Sequence, residues 1–420
     1  MAGYLDRLVA ESRSRGTLVV QPRMGFGSVE AMRAGLAEVA ALDFPVVGSL
    51  TLDSYTRIGD HTTPLERLAA GEELNGYPLV SHPAETTRGL LAGLYGPGFP
   101  VQVRHGTALP LRIFQRLVEV GLDATEGGPV SYCLPYSRVP VAQAVEAWSE
   151  SCRFLAGEAE FGHIETFGGC LLGQLCPPSL LVAVSVLEGC FFQQRGLRHM
   201  SLSYAQGTCA EQDRGAIRAL RVLAAEHLGD VAWHVVLYTY MGLFPRTSSG
   251  ADELIQESAQ LARDTRCERM IVKTVSEARQ IATVAENVAA LRLAAAAATG
   301  PRGQFADSED DYFAEVIEEA RLLVENVLNL DSDVGVALVK AFKLGLLDIP
   351  FCLHPDNLGA TTCLIDDRGA LVWGSRGRLP LPGPDLPPIR GRLGSDQLFS
   401  MLTSVANRYD RHVGPLERRS

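Results

Sequence analysis

Three arginines stand where apolar, strand-like runs give out. LVVQPR ends in Arg23, TLDSYTR carries Arg57, and VQVRHG ends in Arg104 followed by His105. A guanidinium is a planar fork that grips a carboxylate through two parallel N–H bonds. Three of them gathered at one place suit a small dicarboxylate. Two cations fix the two acidic ends, and the leftover donors hold the geometry. A lone arginine of this kind would be read as a surface partner of a neighbouring acid. Three at equivalent positions make a cationic mouth that is unfavourable without an anionic ligand.

A fourth strand-like run ends in a carboxylate. The stretch TEGGPVSYCLPYSR (125–138) sets Glu126 before two glycines and two tyrosines, Tyr132 and Tyr136. A carboxylate near three guanidiniums is expected to stay ionised. It can then accept a hydrogen bond or a proton from a substrate ammonium group. The glycines are expected to let backbone approach a ligand closely. The tyrosines either line a pocket and donate to a carboxylate, or simply pack the following segment. Lys273 ends the run MIVK (270–273) and lies four residues before Glu277. These two form an ion pair or hydrogen-bond the hydroxyls of a ribose. His105 reads as a ligand, a base or, more commonly for a lone histidine, a structural residue.

Such residues meet only if the chain puts strand ends on one ring. Short apolar runs at 18–23, 46–52, 77–81, 101–104, 124–126, 199–204, 233–239 and 270–273 alternate with helical patterns. That alternation predicts a (β/α)8 TIM barrel, with an open doubly wound sheet as the alternative. The arginines then end strands one, two and four, Glu126 ends strand five, and Lys273 ends strand eight. Residues 1–300 are expected to form the barrel, with a long insertion at 127–198. Residues 301–420 are expected to form a helical cap and an irregular tail without an obvious core.

The composition excludes several classes. With a net charge of −11, the chain is not expected to bind nucleic acid or an anionic membrane. Nine cysteines without a CxxC pair suggest free thiols in a reducing compartment. The alanine-rich run at 288–299 contains Arg292 and is too short to span a bilayer. No basic, then apolar, leader is evident, so a cytoplasmic location is expected. No P-loop, HExxH or GxGxxG strand-turn-helix motif occurs, and no metal ligands are assigned.

Taken together, QPRMG (21–25), LDSYTR (52–57), NGYPLV (75–80), VRHGT (103–107), EGGPVSYCLPYSR (126–138), PPS (177–179), MGLFP (241–245), MIVKT (270–274) with Glu277, and VKAFKLGLLDIPF (339–351) resemble the large, epsilon subunit of glutamate mutase, also called methylaspartate mutase. The resemblance implies an isomerase that interconverts L-glutamate and (2S,3S)-3-methylaspartate by a radical route. It implies adenosylcobalamin bound at the interface with a small subunit. Arg23, Arg57 and Arg104 match the family's carboxylate clamp, with Tyr132 and Tyr136 holding a carboxylate and His105 beside them. Glu126 matches the glutamate that takes the ammonium hydrogen. Lys273 and Glu277 match residues near the adenosine ribose, and Asn75 and Gly76 complete the implied cofactor contacts.

The DxHxxG cobalt-binding motif of such systems has no counterpart except DRHVGP (410–415), whose glycine falls one place early. A separate small cobalamin-binding subunit carrying DxHxxG is therefore the expected partner, along with a second copy of this chain. Two positions depart from the family pattern. Cys133 stands where an amide residue is usual, and Tyr238 stands where a histidine is usual. Other readings are a related mutase acting on another diacid or a carrier-tethered glutamate, and a non-catalytic paralogue that binds an acidic metabolite.

Overall fold

The structure is a computed structural model that describes residues 3–171, 175–301, 303, 308–383 and 394–410; the side chains of residues 277, 278, 308 and 309 also lie outside that description. The DRHVGP string therefore leaves the described residues after Asp410.

Eight parallel strands form the wall: β1 (Val19–Pro22), β2 (Gly48–Thr51), β3 (Val101–Arg104), β4 (Ala124–Gly127), β5 (His163–Thr166), β6 (His199–Ala205), β7 (Ala232–Tyr238) and β8 (Arg269–Val272). Their order is β1-β8-β7-β6-β5-β4-β3-β2, and a parallel bridge from Val20 to Val46 joins the two ends into a nearly closed (β/α)8 barrel. The seam there is thin for a chemical reason. Alternate amides of a strand point the same way. Val20 N donates across the seam to Pro45 O at 3.2 Å. Pro22 faces the same side and has no N–H to give. The Ser49 hydroxyl supplies a tie instead, donating to the Pro22 carbonyl at 2.7 Å.

Two strand assignments change. Residues 77–81 are not a wall strand: Tyr77 makes only an isolated bridge with Leu52. The fifth strand is His163–Thr166, inside the stretch 127–198 that the sequence reads as one insertion. Strand ends therefore renumber, so that the arginines follow strands one, two and three, and Glu126 lies on strand four.

The floor is plugged by the helix Tyr4–Arg15. It buries Leu5 and Val9 against Val19, Val47 and Ala124, all at strand starts. Asp6 on this helix reaches His163 Nδ1 at 3.0 Å and His199 Nδ1 at 2.9 Å. After the barrel come the helices Ser308–Leu328 and Val334–Leu344, then an antiparallel hairpin of β9 (Thr361–Ile365) and β10 (Leu371–Arg376), then the helix Ser395–Asp410. The expectation of a coreless tail fails. Cys363, Leu371 and Met401 form a small apolar cluster with Leu175 of the β5–β6 connection. Thr247 Oγ1 also donates to Asp410 Oδ1 at 2.8 Å, tying the tail to the loop after β7. No helix among the described residues is long and apolar enough to cross a membrane.

Candidate active site at the barrel mouth

A cavity of 570 Å³ opens at the C-terminal strand ends, and Arg23, Arg57, Arg104, His105, Glu126, Tyr132 and Tyr136 all line it. Each arrives by a different local device. Arg23 follows β1 directly. Arg57 ends the one-turn helix Ser54–Arg57, whose N-cap Asp53 accepts from Tyr55 N at 2.9 Å and Thr56 N at 3.0 Å. The Arg57 Nε then donates back to Leu52 O at 2.9 Å, aiming the fork inward. Burial, together with the neighbouring cations Arg23 and Arg104, pushes the Arg57 guanidinium below its ordinary value, although Tyr132 and Glu126 oppose this.

Arg104 and Glu126 form a buried pair, Nε to Oε2 at 2.8 Å. Burial works against the Arg104 charge, but Glu126 and the oxygens of Tyr238 and Tyr132 hold its guanidinium well above the usual value. Tyr132 donates a short hydrogen bond to Glu126 Oε1, and the Tyr238 hydroxyl lies 2.9 Å from Oε2. Both carboxylate oxygens of Glu126 are thus engaged. Tyr136 crosses Tyr132 edge to face at 5.9 Å and remains 54% exposed at the entrance.

The two glycines serve the protein's own packing. Gly127 has φ +128°, and a methyl group there would lie 2.4 Å from the Trp148 ring. On Gly128 it would meet Glu188 Oε1 at 2.0 Å. The expected approach of bare backbone to a ligand is replaced by contact with a buried carboxylate. Glu188, on the helix Pro178–Gln194, accepts from Val130 N at 3.2 Å, Ser131 N at 2.9 Å, Ser131 Oγ at 3.0 Å and Gly168 N at 2.9 Å. It staples the loop bearing Tyr132 to the end of β5. Burial pushes its carboxyl up to about 7.

His105 is stacked 5.8 Å from Trp148, and burial beside Arg57 pushes its imidazole down to about 3. It is therefore neutral near pH 7. Cys133 stands outside the cavity lining. Its Sγ donates to Val139 O at 3.1 Å, and burial pushes the thiol up to about 11.

Of the residues matched to cofactor contacts, Lys273, Asn75 and Gly76 also stand outside that lining. Lys273 is buried after β8, its ammonium 5.0 Å from the Phe244 ring centre. Asn75 Oδ1 accepts from Ser54 N at 3.0 Å. A methyl on Gly76 would come within 2.5 Å of the Leu52 carbonyl carbon, so internal packing accounts for this glycine. The Glu277 side chain lies outside the described residues.

The sequence reading missed the layer below the mouth. Glu165 of β5 pairs with fully buried Arg269 of β8. Glu165 Oε2 also accepts from Ser201 Oγ at 3.0 Å and Gln102 Nε2 at 3.2 Å, while Oε1 takes a short bond from the Tyr238 hydroxyl. Burial opposes ionisation of Glu165, but Arg269 and Tyr238 hold its carboxyl below the usual carboxylate range. The signal available in the sequence was alternation: HIET places His163 and Glu165 on one face and Ile164 on the other.

Fold and site together define a (β/α)8 barrel whose mouth gathers three guanidiniums and one carboxylate around one cavity. The family model described as "Methylaspartate mutase E chain (MutE)" matches residues 2–386. The chain is 32% identical over 394 residues to the "Glutamate mutase epsilon subunit" of Desulfitobacterium hafniense, covering 89% of this chain and 80% of that one. To the protein of the same name from Haloarcula marismortui it is 33% identical over 373 residues, covering 84% and 76%. The chain belongs to the methylaspartate mutase E chain family.

Proposed function

We propose that this chain is the catalytic subunit of an adenosylcobalamin-dependent mutase that interconverts L-glutamate and (2S,3S)-3-methylaspartate. The supporting observation is the arrival of Arg23, Arg57 and Arg104 at one cavity that also holds Glu126. The clamp fixes both substrate carboxylates, which restricts the reacting carbons to one geometry. Glu126, oriented by Arg104 and Tyr132, receives the hydrogen of the substrate ammonium. The rings of Tyr132 and Phe167 line the chamber and exclude water that would compete with the reaction.

The entrance fits a large cofactor and a second protein. Ile58, Leu109 and Tyr136 line the cavity yet remain exposed, and Leu243 of the β7 loop is exposed as well. Such an apolar rim suits a broad ring system and a docking subunit. Lys273 and Glu277 would hold the cofactor's nucleoside part, while Asn75 and Gly76 shape their own loop through Ser54 and Leu52. Adenosylcobalamin held there would supply the hydrogen-abstracting radical. The relatives' designation as epsilon subunits accords with a companion subunit; in this reading the companion carries DxHxxG and the chain pairs with a second copy of itself.

The test is to mix this protein with a DxHxxG subunit and adenosylcobalamin and to follow conversion of 3-methylaspartate to glutamate. Interconversion is expected. No turnover with a partner that has been verified on another large subunit would sink this reading. It would favour another diacid, a carrier-tethered glutamate or a non-catalytic binder.

A further inference from the structure

The Tyr238 hydroxyl has one hydrogen and two carboxylates within reach. It lies 2.9 Å from Glu126 Oε2 and closer to Glu165 Oε1. All three side chains are essentially inaccessible to solvent. The choice between the two acceptors follows from what surrounds Glu165. Its other oxygen takes hydrogens from Arg269, Ser201 and Gln102. So many donors keep Glu165 anionic, and its free oxygen takes the phenol hydrogen. The Tyr238 oxygen then shows lone pairs to Glu126, receiving only a long 3.4 Å contact from Arg104 Nη2. Two acceptor oxygens 2.9 Å apart in a dry chamber leave room for one hydrogen between them.

We propose that Tyr238, oriented by Glu165, is a positioning residue that makes Glu126 Oε2 the seat of one proton, filled when a dicarboxylate enters the cavity. This rests on the dicarboxylate reading above. Ligand carboxylates compete with Glu126 for the guanidiniums of Arg23, Arg57 and Arg104. With an amino diacid, one ammonium N–H bond breaks and a Glu126 O–H bond forms. The electron pair stays on nitrogen, and the same proton returns when the product leaves. With a diacid lacking nitrogen, the proton must come from solvent.

The test is calorimetric titration of the full chain with glutarate and with L-glutamate, each in two buffers of equal pH and different ionisation enthalpy. Glutarate is expected to bind with uptake of about one proton per site, and L-glutamate with nearly none. Tyr238→Phe keeps the ring and is expected to bind glutarate with most of that uptake lost; Glu126→Gln should abolish it. Glutarate binding to the wild-type protein without proton uptake would overturn the proposal and leave the dicarboxylate reading standing, even if the variants fail to fold. Undiminished uptake in Tyr238→Phe would likewise overturn it. Absence of glutarate and glutamate binding would remove the dicarboxylate reading and this proposal together.

Discussion

The Arg104 Nε–H meets Glu126 Oε2 across 2.8 Å, with both side chains almost fully buried. Each compensates the charge of the other, so the loss of one partner is more damaging than the pair's net worth. Arg104→Leu strands a buried carboxylate and is expected to cost about 3–5 kcal/mol of stability. Glu126→Gln keeps the shape and one acceptor, and is expected to cost less, about 1–3 kcal/mol. Urea unfolding of the two variants checks the order.

Arg57 is held from behind by Leu52 O, which leaves the outer part of its fork for a ligand. A lysine at this position keeps the charge and loses the planar, two-pronged grip. Arg57→Lys is expected to weaken glutarate binding about tenfold or more, or about 1.4 kcal/mol. Its folding stability should change little, and calorimetry with a parallel thermal melt separates the two effects.

Glu188 governs the site without lining it. Its raised pKa means that the folded protein holds this proton over a range where the unfolded chain has released it. The associated stability is fully present below the ordinary value of 4.5 and is lost as pH rises through about 7. Glu188→Gln is expected to flatten that slope and to lower stability by about 1–3 kcal/mol, because an amide cannot accept from all four donors. Gly128→Ala, which drives a methyl into the same carboxylate, is expected to cost about 1–3 kcal/mol through overpacking. Unfolding curves across pH 5 to 8 (roughly the window in which this group titrates) test both.

At the floor, burial opposes the Asp6 charge, but His163 and His199 together hold its carboxyl well below the usual range. The hydrogen bond to Asp6 holds the His199 imidazole above its ordinary value. The Asp6 contribution is present above its ordinary 3.8 and is lost as pH falls through the depressed value. The His199 contribution is present below 6.5 and is lost as pH rises through the raised value. Asp6→Asn is expected to remove about 1–3 kcal/mol between those limits and to loosen the first helix. Hydrogen exchange along Tyr4–Arg15 is the measurement.

Most of the wall was legible because its strands are apolar runs covered on both faces, as in VVLY of β7 or MIV of β8. The exception has a physical cause. HIET sends His163 and Glu165 into a polar interior, so β5 carries no apolar run. The error at 77–81 has the opposite cause: YPLVS is apolar and buried, but it packs beside the mouth instead of joining the ladder. Arg23, Arg57, Arg104 and Glu126 were legible because each follows or ends a run. Glu165, Glu188 and Arg269 were not, since each acts through a partner distant in sequence. Tyr238 was noticed only as a departure from pattern, and its position between two carboxylates needed coordinates.

The missing amide of Pro22 has a consequence for the width of the chamber. Arg23 and Arg57 are carried on opposite lips of the place where the hoop is buttoned by a serine hydroxyl. Besides that hydroxyl, the joint is tied by Val20 N to Pro45 O at 3.2 Å, Val47 N to Val20 O at 3.1 Å and Thr51 N to Met24 O at 3.0 Å. The span between those two cations is expected to widen with any opening of this joint.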